Sequence, residues 1–316
     1  MCTIEALRDA LGENFNTSQV RTGWIGGSGT FTIDTVGGGF PEVLSCAGPK
    51  TVISRLTDLS TPFGKVPVVK LIDIDGQPVL RIPYHGWRLP KTTIDHTLAT
   101  FWLLYQFAVE QVVVDASVGG LKAKPWDYVI PSDVFIHPVA KEQVAKLAWE
   151  LEKDPWVRMY KPFCSRITSA LSDQAHRLKK EGTEEPTHPI GEVITGGTTI
   201  TTPLSFFETA TEISYYLRTI PDAVVVNQST GQEAGAARIL GMCIGAINPV
   251  ANYAEGIKGG AWTPDGGMQQ FYKDVAMPTG VISYRAVKQI LNQKRNCECV
   301  KLFSETDLGE FTHPKN

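Results

Sequence analysis

The sequence has no long apolar run, no strong net charge and no tract rich in cysteine or histidine. None of its apolar stretches approaches the roughly 18 residues that a membrane-spanning helix needs. The formal net charge of −3 argues against a broad surface for nucleic acid or anionic lipid, because such surfaces carry a basic excess. The six cysteines are scattered, and no cysteine or histidine spacing indicates a zinc site. The N-terminal segment contains the acidic residues Glu5, Asp9 and Glu13, which is not typical of a secretory signal, so we expect a cytoplasmic protein.

The chain is otherwise ordinary in composition, with 42% hydrophobic and 20% charged residues, as in globular proteins. Strands are predicted at Arg21–Ile25, Pro67–Ile74, Pro78–Tyr84, Gln111–Asp115, Glu192–Ile200, Ala223–Asn227 and Met242–Asn248. Asp75-Gly76 predicts a hairpin turn between the second and third of these strands. Helices are predicted at Asp95–Val109, Lys141–Lys153, Ser165–Lys180, Phe207–Arg218, Gly231–Leu240 and Ser283–Gln293. The alternation predicts an α/β fold whose parallel or mixed sheet is covered by helices. Residues 254–280 are rich in glycine and proline, and we expect a functional or mobile loop there.

Two small-residue turns follow predicted strands. Gly26-Gly27-Ser28-Gly29 directly follows the first strand, where backbone N–H groups and a hydroxyl can surround an anion. Ala116–Leu121 follows a buried strand, at the end of an α/β sheet where ligands gather. Each segment taken alone is also compatible with a simple tight turn.

Two polar segments lie at the starts of predicted helices, and a third follows an apolar strand. In the Phe207–Glu212 segment an aromatic ring precedes a carboxylate, a pair that can stack on a purine and accept a hydrogen bond from it. The same residues are also typical of a helix start with acidic side chains in its first turn. Asn227–Glu233 places amides and hydroxyls where a sugar or anion can bind. Val250–Gly256 follows another apolar strand.

The order of these segments resembles the trimeric purine nucleoside phosphorylase and methylthioadenosine phosphorylase family, from about Thr22 to about Tyr253. The shared phrases are the glycine turn, Thr61-Pro62-Phe63-Gly64, His85-Gly86, Ala116–Leu121, Asp127–Pro131, Pro162-Phe163-Cys164, Phe207–Glu212 and an altered Gln228–Glu233. The resemblance implies one nucleoside phosphorylase domain over 1–316, with 1–20 as an N-terminal extension and 294–316 as a C-terminal tail. Its central mixed β-sheet is partly barrel-like and flanked by helices.

The resemblance also implies where phosphate binds. The corresponding residues are Gly27, Ser28, Ser117, Ser229, His85 and Arg88. Two positions depart from the family, because the usual arginines beside the His-Gly pair are Tyr84 and Trp87. A phosphate dianion favours a guanidinium, and Arg88 and Arg81 are the candidates to substitute for the missing arginines in space.

Recognition of the nucleoside follows from the same resemblance. The implied nucleoside-binding residues are Ala116, Phe207, Glu208, Asn227, Gln228 and Asn252. Glu208 corresponds to the carboxylate that accepts the N1–H of 6-oxopurines, and Asn252 to the asparagine that donates to O6 or N7. Asn252, Glu208 and His85 are the implied catalytic residues, and Glu233 an anchor behind the site.

The resemblance thus implies phosphorolysis of a 6-oxopurine nucleoside, or its 5′-methylthio analogue, to free base and ribose 1-phosphate. No cofactor or metal is implied, only phosphate as co-substrate. A homotrimer or hexamer is expected, with Phe135 and His137 near the segment that reaches a neighbour. Two alternatives stay open, a purine nucleoside hydrolase and a non-catalytic nucleoside-binding relative.

The C-x-C pair Cys297-Glu298-Cys299 recurs in some heat-stable members of this family as a small disulfide ring. The alternatives for this chain are two thiols on the tail, or a weak metal contact that lacks further ligands.

Overall fold

The structure is a computed structural model that describes residues 20–30, 51–84, 94–182, 189–203, 206–258 and 267–299. Within these ranges the chain forms twelve strands, β1 to β12, and six helices, α1 to α6. The strands are Thr22–Ile25, Thr51–Thr61, Gly64–Ile74, Gln77–Ile82, Gln111–Asp115, Val118–Gly120, Tyr128–Ile130, Asp133–Ile136, Val193–Thr195, Thr198–Thr201, Ala223–Asn227 and Cys243–Tyr253. The helices are Ile94–Gln106, Pro138–Glu150, Ser165–Glu181, Ala210–Thr219, Thr230–Ile239 and Gly267–Leu291. No helix in these ranges has the length and apolar character needed to cross a bilayer.

The strands join in one mixed sheet with the order β2-β3-β4-β1-β5-β12-β6-β11-β10-β8, while β7 pairs with β12 and β9. Its centre is parallel, because β1, β5 and β12 run side by side in the same direction. Strands β2, β3 and β4 form an antiparallel meander at one edge. The α/β class predicted from the sequence is confirmed, and so is the hairpin at Asp75-Gly76.

Helices cover both faces of the sheet. In β5, Val112 and Val114 join the core cluster that includes residues of α1, α2 and α5. Val113 points to the opposite face and packs in the cluster that includes residues of α3 and α6. A central strand that is apolar on both faces explains the run of valines, because alternate side chains point to opposite sides of a strand. β5 and β12 run parallel between the two helical layers, and Asp115 at the end of β5 pairs with Ile247 of β12.

The longest helix is the largest departure from the sequence prediction. Residues 254–280 were expected to be a loop, yet α6 begins at Gly267 and contains Pro278 and Gly280. Proline inside a helix costs about 3 kcal/mol relative to alanine. Burial of side chains such as Phe271 and Ile290 offsets that cost, because helix stability in proteins comes mainly from packing of the apolar face.

Smaller differences have local causes. The predicted strand Glu192–Ile200 is two strands, because Gly196 and Gly197 adopt positive φ angles of 108° and 79° between them. A Cβ at Gly197 would lie 2.3 Å from Val224 Cγ2, so the chain turns there on a residue without a side chain. Strand β2 was not predicted at all.

Candidate active site

A cavity of about 310 Å³ opens where β5, β11 and β12 end and α5 begins. It is lined by nine of the residues singled out from the sequence, namely Ser28, Ala116, Ser117, Phe207, Glu208, Asn227, Gln228, Ser229 and Asn252. These residues come from separate turns and strand ends, and the parallel centre of the sheet brings the ends together. The location is the one expected for ligands of α/β sheets.

The glycine turn is held by a buried carboxylate. Asp115 Oδ1 accepts a hydrogen bond of 3.0 Å from Gly27 N, and Asp115 Oδ2 accepts one of 2.7 Å from Thr30 Oγ1. A Cβ on Gly27 would lie 1.8 Å from the Asp115 carbonyl oxygen, so only glycine fits this close approach. Gly27 thus packs against the end of β5, while the neighbouring Ser28 lines the cavity.

Arg81 lies behind the glycine turn. Its side chain is fully buried, donates a 2.9 Å hydrogen bond to Thr30 Oγ1, and stacks 4.2 Å from the ring centroid of Trp24. A Cβ on Gly26 would lie 2.3 Å from Arg81 Nη2. Arg81 does not line the cavity, so the hypothesis that it substitutes as a phosphate-binding arginine is not supported. Its guanidinium instead stabilises the glycine turn through the hydrogen bond to Thr30.

The start of α5 faces the cavity through Ser229. Ser229 is the N-cap residue, and its hydroxyl makes no capping hydrogen bond. Because the first N–H groups of a helix lack partners within the helix, such a start can bind an anion. The turn before it is fixed by Asn227, whose Nδ2 donates to Thr199 Oγ1 at 2.6 Å and whose Oδ1 accepts from Thr201 Oγ1 at 2.9 Å and from Thr230 N at 3.2 Å.

The Asn227 amide therefore holds the strand to the helix. Asn227 lines the cavity, but both ends of its amide are engaged within the protein. Because Asn227 lines the cavity and one N–H of its amide makes no hydrogen bond to Thr199, its assignment to nucleoside binding stays a prediction.

Two buried acidic groups lie near this part of the cavity. Burial and, to a smaller extent, the nearby Asp115 carboxylate raise the pKa of Glu233 to about 8, while a hydrogen bond with Ser229 opposes the shift. Burial also raises the pKa of the Tyr84 hydroxyl, which shares a 2.9 Å hydrogen bond with Thr97 Oγ1. Glu233 is thus largely a neutral acid at neutral pH, and Tyr84 is a neutral wall of the cavity.

The segment before α4 supplies an aromatic ring and a carboxylate. Thr209 and Glu212 form a capping box, in which each side chain bonds to the other residue's backbone. The helix therefore begins after Glu208, not at Phe207 as predicted, and Phe207 and Glu208 lie in the preceding loop. Glu208 is buried and accepts a 2.6 Å hydrogen bond from Thr202 Oγ1. Burial raises its pKa, and this hydrogen bond opposes the shift.

The opposite wall contains both an expected residue and unexpected ones. Asn252 Nδ2 donates a 2.9 Å hydrogen bond to Tyr253 O, which orients the amide at the end of β12. Met268 and Tyr272 of α6 also line the cavity, and the Tyr272 hydroxyl lies 3.3 Å from Ser117 Oγ. The sequence analysis missed both, because it treated their segment as a loop. A methionine and an aromatic residue one helical turn apart were the available signal.

Charge in the cavity is unevenly distributed. Among the lining residues that the structure describes are two glutamates, Glu208 and Glu255, and no lysine, arginine or histidine. His85 and Arg88, the cations expected from the sequence, lie outside the described residues, immediately after Tyr84. Within the described part, an anion can therefore be bound by hydroxyl groups and backbone N–H groups.

Comparison with known proteins is consistent with this architecture. The model of the phosphorylase superfamily matches residues 53–283. The probable S-methyl-5′-thioinosine phosphorylase of Methanothermobacter thermautotrophicus is 30% identical over 217 residues, which cover 67% of this chain and 69% of that protein. The 6-oxopurine nucleoside phosphorylase of Pyrococcus furiosus is 29% identical over 216 residues, covering 65% and 75%.

The fold has solved counterparts. The crystal structure of a methylthioadenosine phosphorylase sourced from an antarctic soil metagenomic library aligns with a TM-score of 0.67 and 17% identity, covering 90% of this chain and 91% of that chain. The resemblance found in the sequence motifs is confirmed. The match over most of the chain, the shared fold and a cavity at the carboxyl ends of the central strands identify the protein as a member of the phosphorylase superfamily.

Proposed function

We propose that this chain cleaves the N-glycosidic bond of a 6-oxopurine nucleoside, or of its 5′-methylthio analogue, with phosphate as the attacking co-substrate. The products are the free base and a pentose 1-phosphate. The observation that carries the proposal is that one cavity presents two different kinds of surface. One part presents serine hydroxyls and a helix start, and the other presents an aromatic ring, a carboxylate and an amide.

Phosphate is assigned to the part formed by Ser28, Ser117 and Ser229. The glycine turn, which Asp115 holds in place, and the N-terminus of α5 present backbone N–H groups there, and the Ser229 hydroxyl, which hydrogen-bonds to Glu233, lies at the same helix start. We assign His85 and Arg88 to the same part as the cationic partners, since they follow the lining residue Tyr84 in the chain. A neutral Glu233 is compatible with a bound anion beside it, whereas an ionised one repels it.

The base is assigned to Phe207, Glu208 and Asn252. Ionised Glu208 accepts the N1–H of a 6-oxopurine, and the buried Thr202 hydrogen bond holds its carboxylate in place. One N–H of the Asn252 amide is used on Tyr253 O, so the amide is fixed and its second N–H can donate to O6 or N7. Phe207 forms the aromatic wall, and Gln228 and Ala116 border the sugar.

The reaction that this arrangement supports is dissociative. As the glycosidic bond lengthens, positive charge develops on the sugar and negative charge on the purine. Asn252 stabilises the purine charge by donating a hydrogen bond, and phosphate then attacks the anomeric carbon. Positioning and electrostatic stabilisation supply the rate enhancement, so neither a covalent enzyme intermediate nor a cofactor takes part in the proposal.

The proposal is tested by incubating the protein with inosine in the presence and absence of phosphate. Release of hypoxanthine only with phosphate supports phosphorolysis. Release at an equal rate without phosphate means that water is the acceptor, which is the hydrolase alternative. Parallel assays with 5′-methylthioinosine and adenosine determine which substituents the protein accepts at the 5′ position of the sugar and at position 6 of the purine. If the protein binds nucleosides but releases no base from any of them, it is a non-catalytic relative.

We further propose a cytoplasmic homotrimer or hexamer. Phe207, which lines the cavity, is 61% exposed, and the adjacent Phe206 is 84% exposed, an arrangement in which a neighbouring subunit can complete the site. Light scattering of the active protein tests the assembly. A mass near the 34.6 kDa of one chain, with full activity, contradicts it.

A further inference from the structure

Four cysteines that are distant in the sequence meet in the structure. The Sγ atoms of Cys164, Cys243, Cys297 and Cys299, here called the cysteine cluster, all lie within 4.8 Å of one another. Three of the residues are buried, at 0%, 0% and 5% exposure for Cys164, Cys243 and Cys299, and Cys297 is half-buried. The C-x-C pair therefore does have further potential ligands.

Three separate elements build the cluster. Cys164 is the N-cap residue of α3, and Cys243 is the first residue of β12. Cys164 N donates a 2.7 Å hydrogen bond to Ile244 O, which fixes these two elements against each other. The C-x-C pair arrives from the segment after α6.

The sulfur separations match a tetrahedral metal site. A Zn–S bond of about 2.3 Å places the sulfurs of a tetrahedral site about 3.8 Å apart. The Cys243 and Cys297 sulfurs are 3.4 Å apart, and the group spans at most 4.8 Å. Small movements therefore suffice to close the four sulfurs around one ion.

The charge around the cluster also fits. Zn²⁺ bound by four thiolates carries a net charge of about −2, which is costly to bury without cationic partners. Arg295 Nε donates a 3.3 Å hydrogen bond to Cys243 Sγ. Arg238 is 4% exposed, donates a 2.7 Å hydrogen bond to Lys161 O, and interacts electrostatically with all four cysteines. Two guanidinium groups thus lie where they would balance that charge.

We infer that the cysteine cluster binds one Zn²⁺ ion as a structural site. Each thiol loses its proton on binding, and the four sulfurs leave no open coordination position for a substrate. The ion would fasten the segment after α6 to the starts of α3 and β12. Cys243 and Asn252 lie near opposite ends of β12, nine positions apart. At about 3.3 Å per residue the distance between them is up to about 30 Å. The ion therefore takes no part in the proposed phosphorolysis.

The first test measures the metal in the full-length protein, purified under reducing conditions without chelator. We expect about one zinc per chain by atomic emission, and the intense thiolate-to-metal absorption of a tetrahedral site when Co²⁺ replaces Zn²⁺. Titration of the thiols with a mercurial reagent should release the zinc in step with modification of the cluster. Metal-free protein with four accessible cluster thiols overturns the inference, as does peptide mapping that finds any two of the four joined in a disulfide.

The second test compares two variants at one position. Cys297→Ala should lose zinc to a competing chelator that the wild-type protein withstands, and should melt at a lower temperature. Cys297→His should retain zinc, because a Cys₃His set also binds it. The KM for inosine should be the same in all folded forms. Equal zinc content in Cys297→Ala and the wild type contradicts the inference, and the Co²⁺ spectrum of the wild type decides the matter even if Cys297→Ala fails to fold.

Discussion

Replacing Glu233 by glutamine tests whether the fold buries a neutral acid behind the candidate active site. Glu233 is 2% exposed, Asp115 lies near it, and its Oε2 atom has no hydrogen-bond partner among the residues that the structure describes. Burial raises its pKa from 4.5 to about 8. Glutamine has nearly the same shape but cannot ionise, so Glu233→Gln removes the titration with little change in packing.

The direction of the effect follows from proton binding. Since the folded state binds this proton more tightly than the unfolded state, the stabilisation is complete below pH 4.5 and is lost as the pH rises toward about 8. At about 1.4 kcal/mol per pKa unit, the total is on the order of 5 kcal/mol. Between pH 6 and pH 8 the wild type should lose about 2 kcal/mol through this group.

Urea unfolding at pH 6 and pH 8, at one protein concentration, measures the effect. The stability difference between Glu233→Gln and the wild type should shift by about 2 kcal/mol in favour of the variant at the higher pH. Glu142→Gln, at an exposed position of α2, serves as the matched control and should show no such shift. Parallel pH profiles for the Glu233 variant and the wild type would refute the reasoning, because Glu233 would then be ionised throughout.

Further predictions concern the substrate-binding part of the cavity. Asn252→Asp should shift preference from inosine toward adenosine by about 1–3 kcal/mol, because an acceptor replaces a donor; rates on both substrates that fall together would count against it. Glu208→Gln should lower kcat/KM for inosine by roughly 10–100-fold through loss of a charged acceptor. It should also remove the fall of kcat/KM at acid pH that protonation of Glu208 causes, a fall that begins above pH 4.5 because the pKa of Glu208 is raised. An unchanged pH profile would exclude that role. Ser28→Ala and His85→Ala should each raise the KM for phosphate more than the KM for inosine, and the reverse pattern would remove these residues from the phosphate site.

The parts of the fold that the sequence predicted share a strong local signal. Local sequence is sufficient to predict the valine-rich strands β5 and β11 and the Asp75-Gly76 turn, because periodicity and turn chemistry act over a few residues. The first part of helix α6 lacks such a strong signal, since Pro278 and Gly280 disfavour a helix and tertiary packing stabilises it, whereas its last turns, from Ser283, were predicted as a helix.

The same contrast holds for the two sites. The residues around the cavity were found because each lies in a recognisable segment at a strand end, and the parallel sheet then brings the segments together. The structural role of Asn227 was not predicted, because no local pattern reveals that its amide binds Thr199 and Thr201. The cysteine cluster was missed because its ligands are joined only by the packing of α3, β12 and the segment after α6.

The central claim is that phosphate accepts the sugar, and ³¹P NMR of the reaction with inosine tests it most directly. Our account predicts that the inorganic phosphate signal declines while a sugar 1-phosphate signal grows in equal amount to the hypoxanthine released. Hypoxanthine released alongside free ribose, with the phosphate signal unchanged, would contradict it.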